Sequence, residues 1–482
     1  MNPRSILLVC IVTVFAGCAV GPDFKRPDAR TVTWHTTLPH GGKLESLDKW
    51  WQQLNDPLLS ELIVDTEKNN PTIDMALAKM NEARANATIS GANLYPSLNL
   101  SAGSTTSRSA MGPYIFQQTV NSVGFDAKWE IDLFGKNRRT AESAKARYGA
   151  DEAGWHDARI SIAAEVAEVY VELRQCDADL SSAEQNRKSH ADVLDVTNIK
   201  ESAGLASAMD AARAQASEAD GDASLIAKEG DCARTLNRLT ALTGIEQNAL
   251  KLRLAGRRGQ IPIPNAVDVS SVAAQVLRQR PDVATAEWNL AAASADIGVA
   301  KAALYPSLTL TGSVANNLVY MSGQSAVVPT WSFGPSLSLP IFTGGRGRAG
   351  VKAAEARYDY ALASYQKTVR EAVHDVEDAL VRLNVANARA NDGAKTRNKF
   401  QQLFQATQAR YNAGLSNRVA LEDARRNWLQ AEDSAAALDR ETVSSWIALY
   451  KALGGGWNQQ ATSESLAENS KKPNNETRVA TP

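Results

Sequence analysis

The chain states one phrase twice. "ANLYPSLNLSAG" begins at Ala92 and "AALYPSLTLTGS" at Ala302, 210 residues further on. The same step carries Pro71 to Pro281, the "ARY" at Ala146 to that at Ala356, the "AGL" at Ala203 to that at Ala413, and Gly244 to Gly454. Matches at one spacing along nearly the whole chain mark an internal duplication, and a period this long is too large for a solenoid of small units. Any fold must be built from two homologous halves, residues 56–255 and 267–456, joined by a Pro-broken connector at 256–266.

Each half reads as a helix, a pair of strands and a helical hairpin. "NDPLLSELI" offers Asp56 as N-cap with Pro57 at the first helical position. Pro71 and Pro281 restart helices that run to the "LYPSL" phrase, where the period changes to two. Leu98, Leu100 and Ala102 alternate with Asn99, Ser101 and Gly103. Then Val123, Phe125, Ala127, Trp129, Ile131 and Leu133 alternate with Gly124, Asp126, Lys128, Glu130 and Asp132. The second half repeats this from Leu308, then with Trp331, Phe333, Leu337, Leu339 and Ile341. The predicted strands lie at about 95–108, 118–133, 305–318 and 330–342, the length and pattern of membrane-spanning β-strands. A half-buried soluble sheet would alternate in the same way. Closed barrels begin at about eight strands, so four cannot close one, and a chain that spans a membrane in this manner must oligomerise.

The helical stretches are long. Between Lys136 and Ala203 there is no proline, and alanine recurs at helical spacing; such a helix would measure about 100 Å. "SAGLAS" turns at Gly204 and a shorter helix returns to Gly244; the second half turns at Gly414 within "YNAGLSN". A hairpin so long and so rich in alanine cannot bury itself alone, but beside copies of itself it could form a tubular wall. Cys176 lies 28 residues before Gly204 and Cys232 lies 28 after it, hence at one height in an antiparallel hairpin. A disulfide or two buried free thiols would both fit.

The N-terminus fixes the compartment. Arg4, an apolar run from Ile6 to Phe15 and "AGC" read as a signal peptide over residues 1–17, with Cys18 as the lipidated first residue of a segment at 18–55. An ordinary signal peptide cleaved nearby is the alternative. Ala19 is not aspartate, so no inner-membrane retention signal is evident. No later stretch has the roughly 18 apolar residues that a spanning helix needs, so any crossing would be made by strands. With 52 basic and 53 acidic residues there is no electrostatic bias toward nucleic acid. An aromatic fraction of 6% fits long, thinly packed helices better than a compact enzyme. Residues 457–482 are polar and aperiodic, and disorder is expected toward their end.

Little in the sequence points to catalysis. His35, His40, His156, His190 and His374 have no metal-ligand spacing and read as solvent-facing. There is no phosphate loop, nucleophile elbow or paired CxxC, and "GGRGRAG" at Gly344 reads as a strand-to-helix bend. No enzyme activity, cofactor or metal is expected. One charged stripe stands out: Val419, Asp423 and Arg426 share a helix face just past Gly414, while Asp210 and Arg213 follow Gly204. By itself the stripe reads as a solvated face with a local ion pair. If several tips met on an axis, it could close a pore.

The lipobox with "CAVGPDFKRP", then "WWQQLNDPLLSELI", the paired "LYPSL" strands and the paired "AGL" turns together resemble the TolC-like outer-membrane factors. Within these, the chain is similar to the lipoprotein branch serving resistance–nodulation–division efflux pumps. The resemblance covers nearly everything from Cys18 to Gly454. It implies an α+β membrane protein: a homotrimeric, twelve-stranded β-barrel, four strands per chain, continuous with a long periplasmic α-helical barrel. It also implies a passive exit duct for small toxic compounds or drugs, lipid-anchored in the outer membrane and working with a periplasmic adaptor and an inner-membrane pump. By the same resemblance, Gly204, Leu205, Ser207, Gly414, Leu415 and Ser416 would touch the adaptor. Val419, Asp423 and Arg426 would form the constriction, with Val419 where the family often has leucine. A duct for protein secretion, or a structural lipoprotein spanning the periplasm, are the competing functions.

Overall fold

The computed structural model describes residues 19–27, 47–111, 114–264, 279–321, 323–455 and 457. The signal peptide, Cys18, most of the segment up to residue 46, the start of the second half and nearly all of the tail lie outside the described residues.

After a 3-10 turn at Leu47–Leu54, the chain forms α1 (Pro57–Asn69), α2 (Pro71–Ala92), β1 (Ser97–Met111), β2 (Tyr114–Ile131) and α3 (Lys136–Ser202). Next come α4 (Ala208–Thr243), α5 (Gln247–Leu254), α6 (Pro281–Ala302), β3 (Ser307–Met321), β4 (Gln324–Ser338), α7 (Arg346–Asn412) and α8 (Arg418–Ala452). The duplication is exact in its longest elements: α3 and α7 have 67 residues each. No described helix is long and apolar enough to cross a membrane.

The four strands form one antiparallel sheet in the order β1-β2-β3-β4. Its register sorts the side chains by face. Leu100, Phe125, Val314 and Trp331 lie in one row across all four strands; Asn99, Asp126, Ser313 and Ser332 form the adjacent row on the opposite face. The polar row is tied internally, with Ser101 Oγ donating to Asp126 at 2.7 Å and Ser313 and Ser332 bonded at 2.8 Å. The apolar row is left exposed, Trp331 at 79% and Phe333 beside it at 74%. A soluble sheet would cover such a face.

The strands depart from their expected limits. Met111 pairs with Tyr114 and Met321 with Gln324, so each hairpin turns within two residues and β2 and β4 begin before 118 and 330. The ladder continues through "SAVVP", where the side-chain alternation that marks a strand lapses. At its other end β4 stops at Ser338, which pairs with Ser307, the first residue of β3. Leu133, Leu339 and Ile341 therefore lie beyond the strands.

The chain divides into two compact units, and each draws on both halves of the duplication. One contains the sheet with residues 77–153 and 284–368; the other contains residues 154–283 and 369–482 with 29–76. The second unit holds the main core. Leu59, Leu62 and Ile63 of α1 are fully buried with Val166, Val169 and Tyr170 of α3 and Val443 of α8, each large side chain contributing about 1.5–3 kcal/mol. Trp50 stacks on Tyr450 with ring centroids 4.8 Å apart.

The N-cap at Asp56 organises this core. Its carboxylate accepts from the Leu58 and Leu59 amides and from the Tyr170 hydroxyl at 2.6 Å. Tyr170 in turn accepts from the fully buried Arg174, which also donates to the Leu254 carbonyl at 2.9 Å. Burial and the bond to Asp56 push the Tyr170 hydroxyl upward. One capping residue thus links α1, α3 and α5.

One expectation is corrected here. His156 does not face solvent: it is wedged between Trp155 and Trp457, with centroids at 4.7 and 5.6 Å, and burial lowers its pKa to about 4. Trp457, the one described residue of the polar tail, is buried with its ring against His156.

Candidate functional site

The two hairpin tips are built alike. At the first, Gly204 adopts φ +70°, its amide donates to Glu201 O at 2.9 Å, and Leu205 N donates to Lys200 O at 2.8 Å. At the second, Gly414 has φ +72°, its amide donates to Tyr411 O at 2.9 Å, and Leu415 N donates to Arg410 O at 2.8 Å. A left-handed residue with a six-to-one bond behind it ends a helix, and glycine alone takes that conformation without strain. Leu205 and Leu415 follow at 79% and 70% exposure. Two apolar side chains thus stand in solvent at matching places.

The returning helices then start on different caps. Ser207 forms a capping box with Asp210: the Asp210 amide donates to Ser207 Oγ, and the Ser207 amide and hydroxyl donate to the Asp210 carboxylate at 3.2 and 2.7 Å. These bonds hold the Asp210 carboxyl below its usual range. At the second tip the cap is Asn417, which accepts from Ala420 N at 2.8 Å, so Ser416 is not the counterpart of Ser207. The expected constriction residues fall on the first three turns of α8. Val419 is half-buried, Asp423 is exposed, and Arg426 pairs with Asp423 one turn away while donating to Ser189 Oγ at 3.4 Å. Among the described residues no contact joins Asp210 or Arg213 to this group.

Beside this stripe lies a charged cluster that the sequence reading missed. Glu422 is fully buried. Ser189 Oγ donates to it at 2.8 Å, Arg418 lies 2.8 Å and Arg425 3.3 Å from its carboxylate, and Arg418 also pairs with Asp192. The cluster fastens the start of α8 to α3. Arg418, Glu422 and Arg425 repeat at i, i+4 and i+7, one residue ahead of Val419, Asp423 and Arg426. That pattern was the available signal, but two adjacent stripes of equal polarity do not say which one meets a neighbouring helix.

Farther from the tip, the structure joins Cys176 and Cys232, with Cα atoms 5.5 Å apart, and Lys228 donates to Asp179 at 2.8 Å one turn away. Asp433 of α8 faces the same region. Burial raises its pKa to about 6, against a Ser182 hydrogen bond that lowers it and with the Asp179 carboxylate raising it further; Lys228 opposes and Glu432 adds to the rise. Among the described residues, no group of three His, Cys, Asp or Glu side chains could hold a metal ion.

An exposed apolar sheet face, joined in one chain to duplicated 67-residue helices with matched tips, agrees with the comparisons to known proteins. A family profile described as outer membrane efflux protein matches residues 62–245 and 272–455. The chain belongs to the outer membrane efflux protein family. The two matched segments are themselves 210 residues apart, the period of the duplication. Nodulation protein T of Rhizobium leguminosarum bv. viciae is 29% identical over 95% of this chain and 94% of its own. The cation efflux system protein CusC of Escherichia coli O157:H7 is 27% identical over 95% of this chain and all of its own. Among solved structures, the outer-membrane channel OprN is similar with a TM-score of 0.79 and 29% identity, covering 91% of this chain and all of that one. The expected fold class holds: this is a TolC-like outer-membrane channel chain, of the trimeric class in which each chain gives four strands and a share of a helical barrel. The protein is an outer-membrane efflux channel that extends into the periplasm. Its family and structural neighbours are channels rather than enzymes.

Proposed function

We propose that three copies of this chain form the exit duct of a tripartite pump through which small toxic compounds or drugs leave passively. An inner-membrane pump supplies the energy, and a periplasmic adaptor joins the two. The observation that carries this reading is the sheet, whose apolar face is bare and whose two edges, β1 and β4, are unpaired in the single chain. Lipid satisfies the face and neighbouring copies satisfy the edges. As a passive duct the protein catalyses no reaction and needs no cofactor or metal.

In this reading Gly204, Leu205, Ser207, Gly414, Leu415 and Ser416 present the tips to the adaptor, supported by the exposure of both leucines. Val419, Asp423 and Arg426, with Asp210 and Arg213, line the constriction, and Cys18 carries the lipid. Planar-bilayer recording tests the gate. The combined Asp423→Ala and Arg426→Ala variant should conduct more than the parent; an unchanged trace would remove both residues from the gate. No channel in either protein would remove the duct. Cys18→Ala should abolish incorporation of labelled fatty acid, and persistent labelling would place the acceptor elsewhere.

A further inference from the structure

Residues 19–27 are laid along a groove built from both halves of the duplication. Val20 N donates to Phe134 O at 3.1 Å. Gly21, at φ +102°, passes so close to Gly298 that a side chain on Gly21 would lie 2.5 Å from the Gly298 Cα. A side chain on Gly298 would in turn meet Arg139 at 2.8 Å and the Val20 carbonyl at 3.0 Å. Asp23 pairs with Arg139 at 2.7 Å, Phe24 packs on the cluster of Ala146, Ala291 and Ala292 near Trp288, and Arg26 pairs with Glu287. Phe134, Gly135, Arg139 and Ala146 belong to the first half; Glu287, Ala291, Ala292 and Gly298 belong to the second.

The duplication should provide a second such groove, but its residues are changed. At the places equivalent to Gly298, Arg139 and Glu287 stand Thr88, Ala349 and Leu77. The close passage and both charge partners are therefore absent there. The receptor exists once, as does the N-terminus that fills it.

We propose that residues 19–26 are a docking strap that clasps the two halves together and holds the acylated N-terminus at the junction of β2 and α3. Ala19 lies against Gly135, next to Phe134, whose ring stacks on Tyr305 at 4.7 Å. A lipid on the preceding residue is then delivered to one point on the barrel rim instead of sweeping the rim on a free tether, with its local concentration raised accordingly. Glycines are needed because the strap meets α6 backbone to backbone. The two ion pairs set register more than affinity, since Asp23 and Arg26 are well exposed; Phe24 and the glycine contact hold it.

The proposal rests on lipidation at Cys18, and one experiment separates the two. The full chain is produced in cells supplied with a photoactivatable diazirine fatty acid, purified in mild detergent and irradiated, and the adducts are mapped by mass spectrometry. Adducts should favour residues 129–138 and 304–307 by about threefold over the β4 end at 336–342. Gly298→Thr, which imports the residue of the other half, should remove that preference. Phe24→Ala should weaken it, which keeps the test open if Gly298→Thr does not fold. Label incorporated without preference in the parent, or a preference that survives both variants, overturns the strap. No incorporation removes the lipid reading and the strap's anchoring role with it.

Discussion

Where the first hairpin carries the Cys176–Cys232 bond, the second carries Ala386 and Thr442 at the equivalent positions, both buried. The two hairpins share length, tip geometry and the left-handed glycine, yet they are held by different chemistry. In the first, α4 is largely exposed and a covalent link ties it to α3. In the second, α8 buries residues along much of its length and is fastened to α3 through the Glu422 cluster at its start. A duplicated element can thus keep its shape while the source of its stability moves from a covalent bond to packing and buried charge.

The largest effect is expected from Glu422→Ala. It removes the carboxylate partner of Arg425, leaves Arg418 with Asp192 alone, and should loosen the start of α8 by up to about 3–5 kcal/mol. Hydrogen exchange should rise there while α4 is unchanged; equal loosening of both helices would erase the comparison. Replacing Cys176 and Cys232 by serine should cost about 2–4 kcal/mol and raise exchange in α4 but not in α8. The same contrast can be sharpened by adding a bond: Ala386→Cys with Thr442→Cys should cross-link on oxidation, shifting mobility on an unreduced gel. No shift would mean that the hairpins differ in geometry as well as chemistry. Gly204→Ala and Gly414→Ala should each destabilise by about 1–2 kcal/mol and by similar amounts, since the two glycines hold nearly the same φ and a Cβ at either meets open space.

The smallest effect concerns pH. Asp433 has a folded pKa of about 6, above its ordinary value of 3.8. A carboxyl so raised binds more protons folded than unfolded, so its share of stability is present at low pH and is lost as pH rises toward 6. Asp433→Asn should flatten the pH dependence of α8 exchange between pH 4 and 6, with α4 as the internal reference.

Much of the fold was legible because it depended on local signals. The Asp56–Pro57 cap and the two "AGL" turns each report a backbone conformation that few residues permit, and the 210-residue step carries such signals from one half to the other. Strand ends were less legible. The two-residue turns let the ladder run on through segments without alternation, and side-chain pattern records faces, not hydrogen bonds. Glu422 was invisible for another reason: its burial depends on which side of α8 meets Ser189, a residue 233 positions away. The strap was hidden likewise, since Gly21 and Gly298 signify nothing until they touch.

The mass of the unreduced, detergent-solubilised protein, measured by light scattering with the detergent contribution removed, tests the central claim most directly. Four strands with two open edges should give three chains per particle. A monodisperse single chain, soluble with its apolar sheet face uncovered, would contradict it.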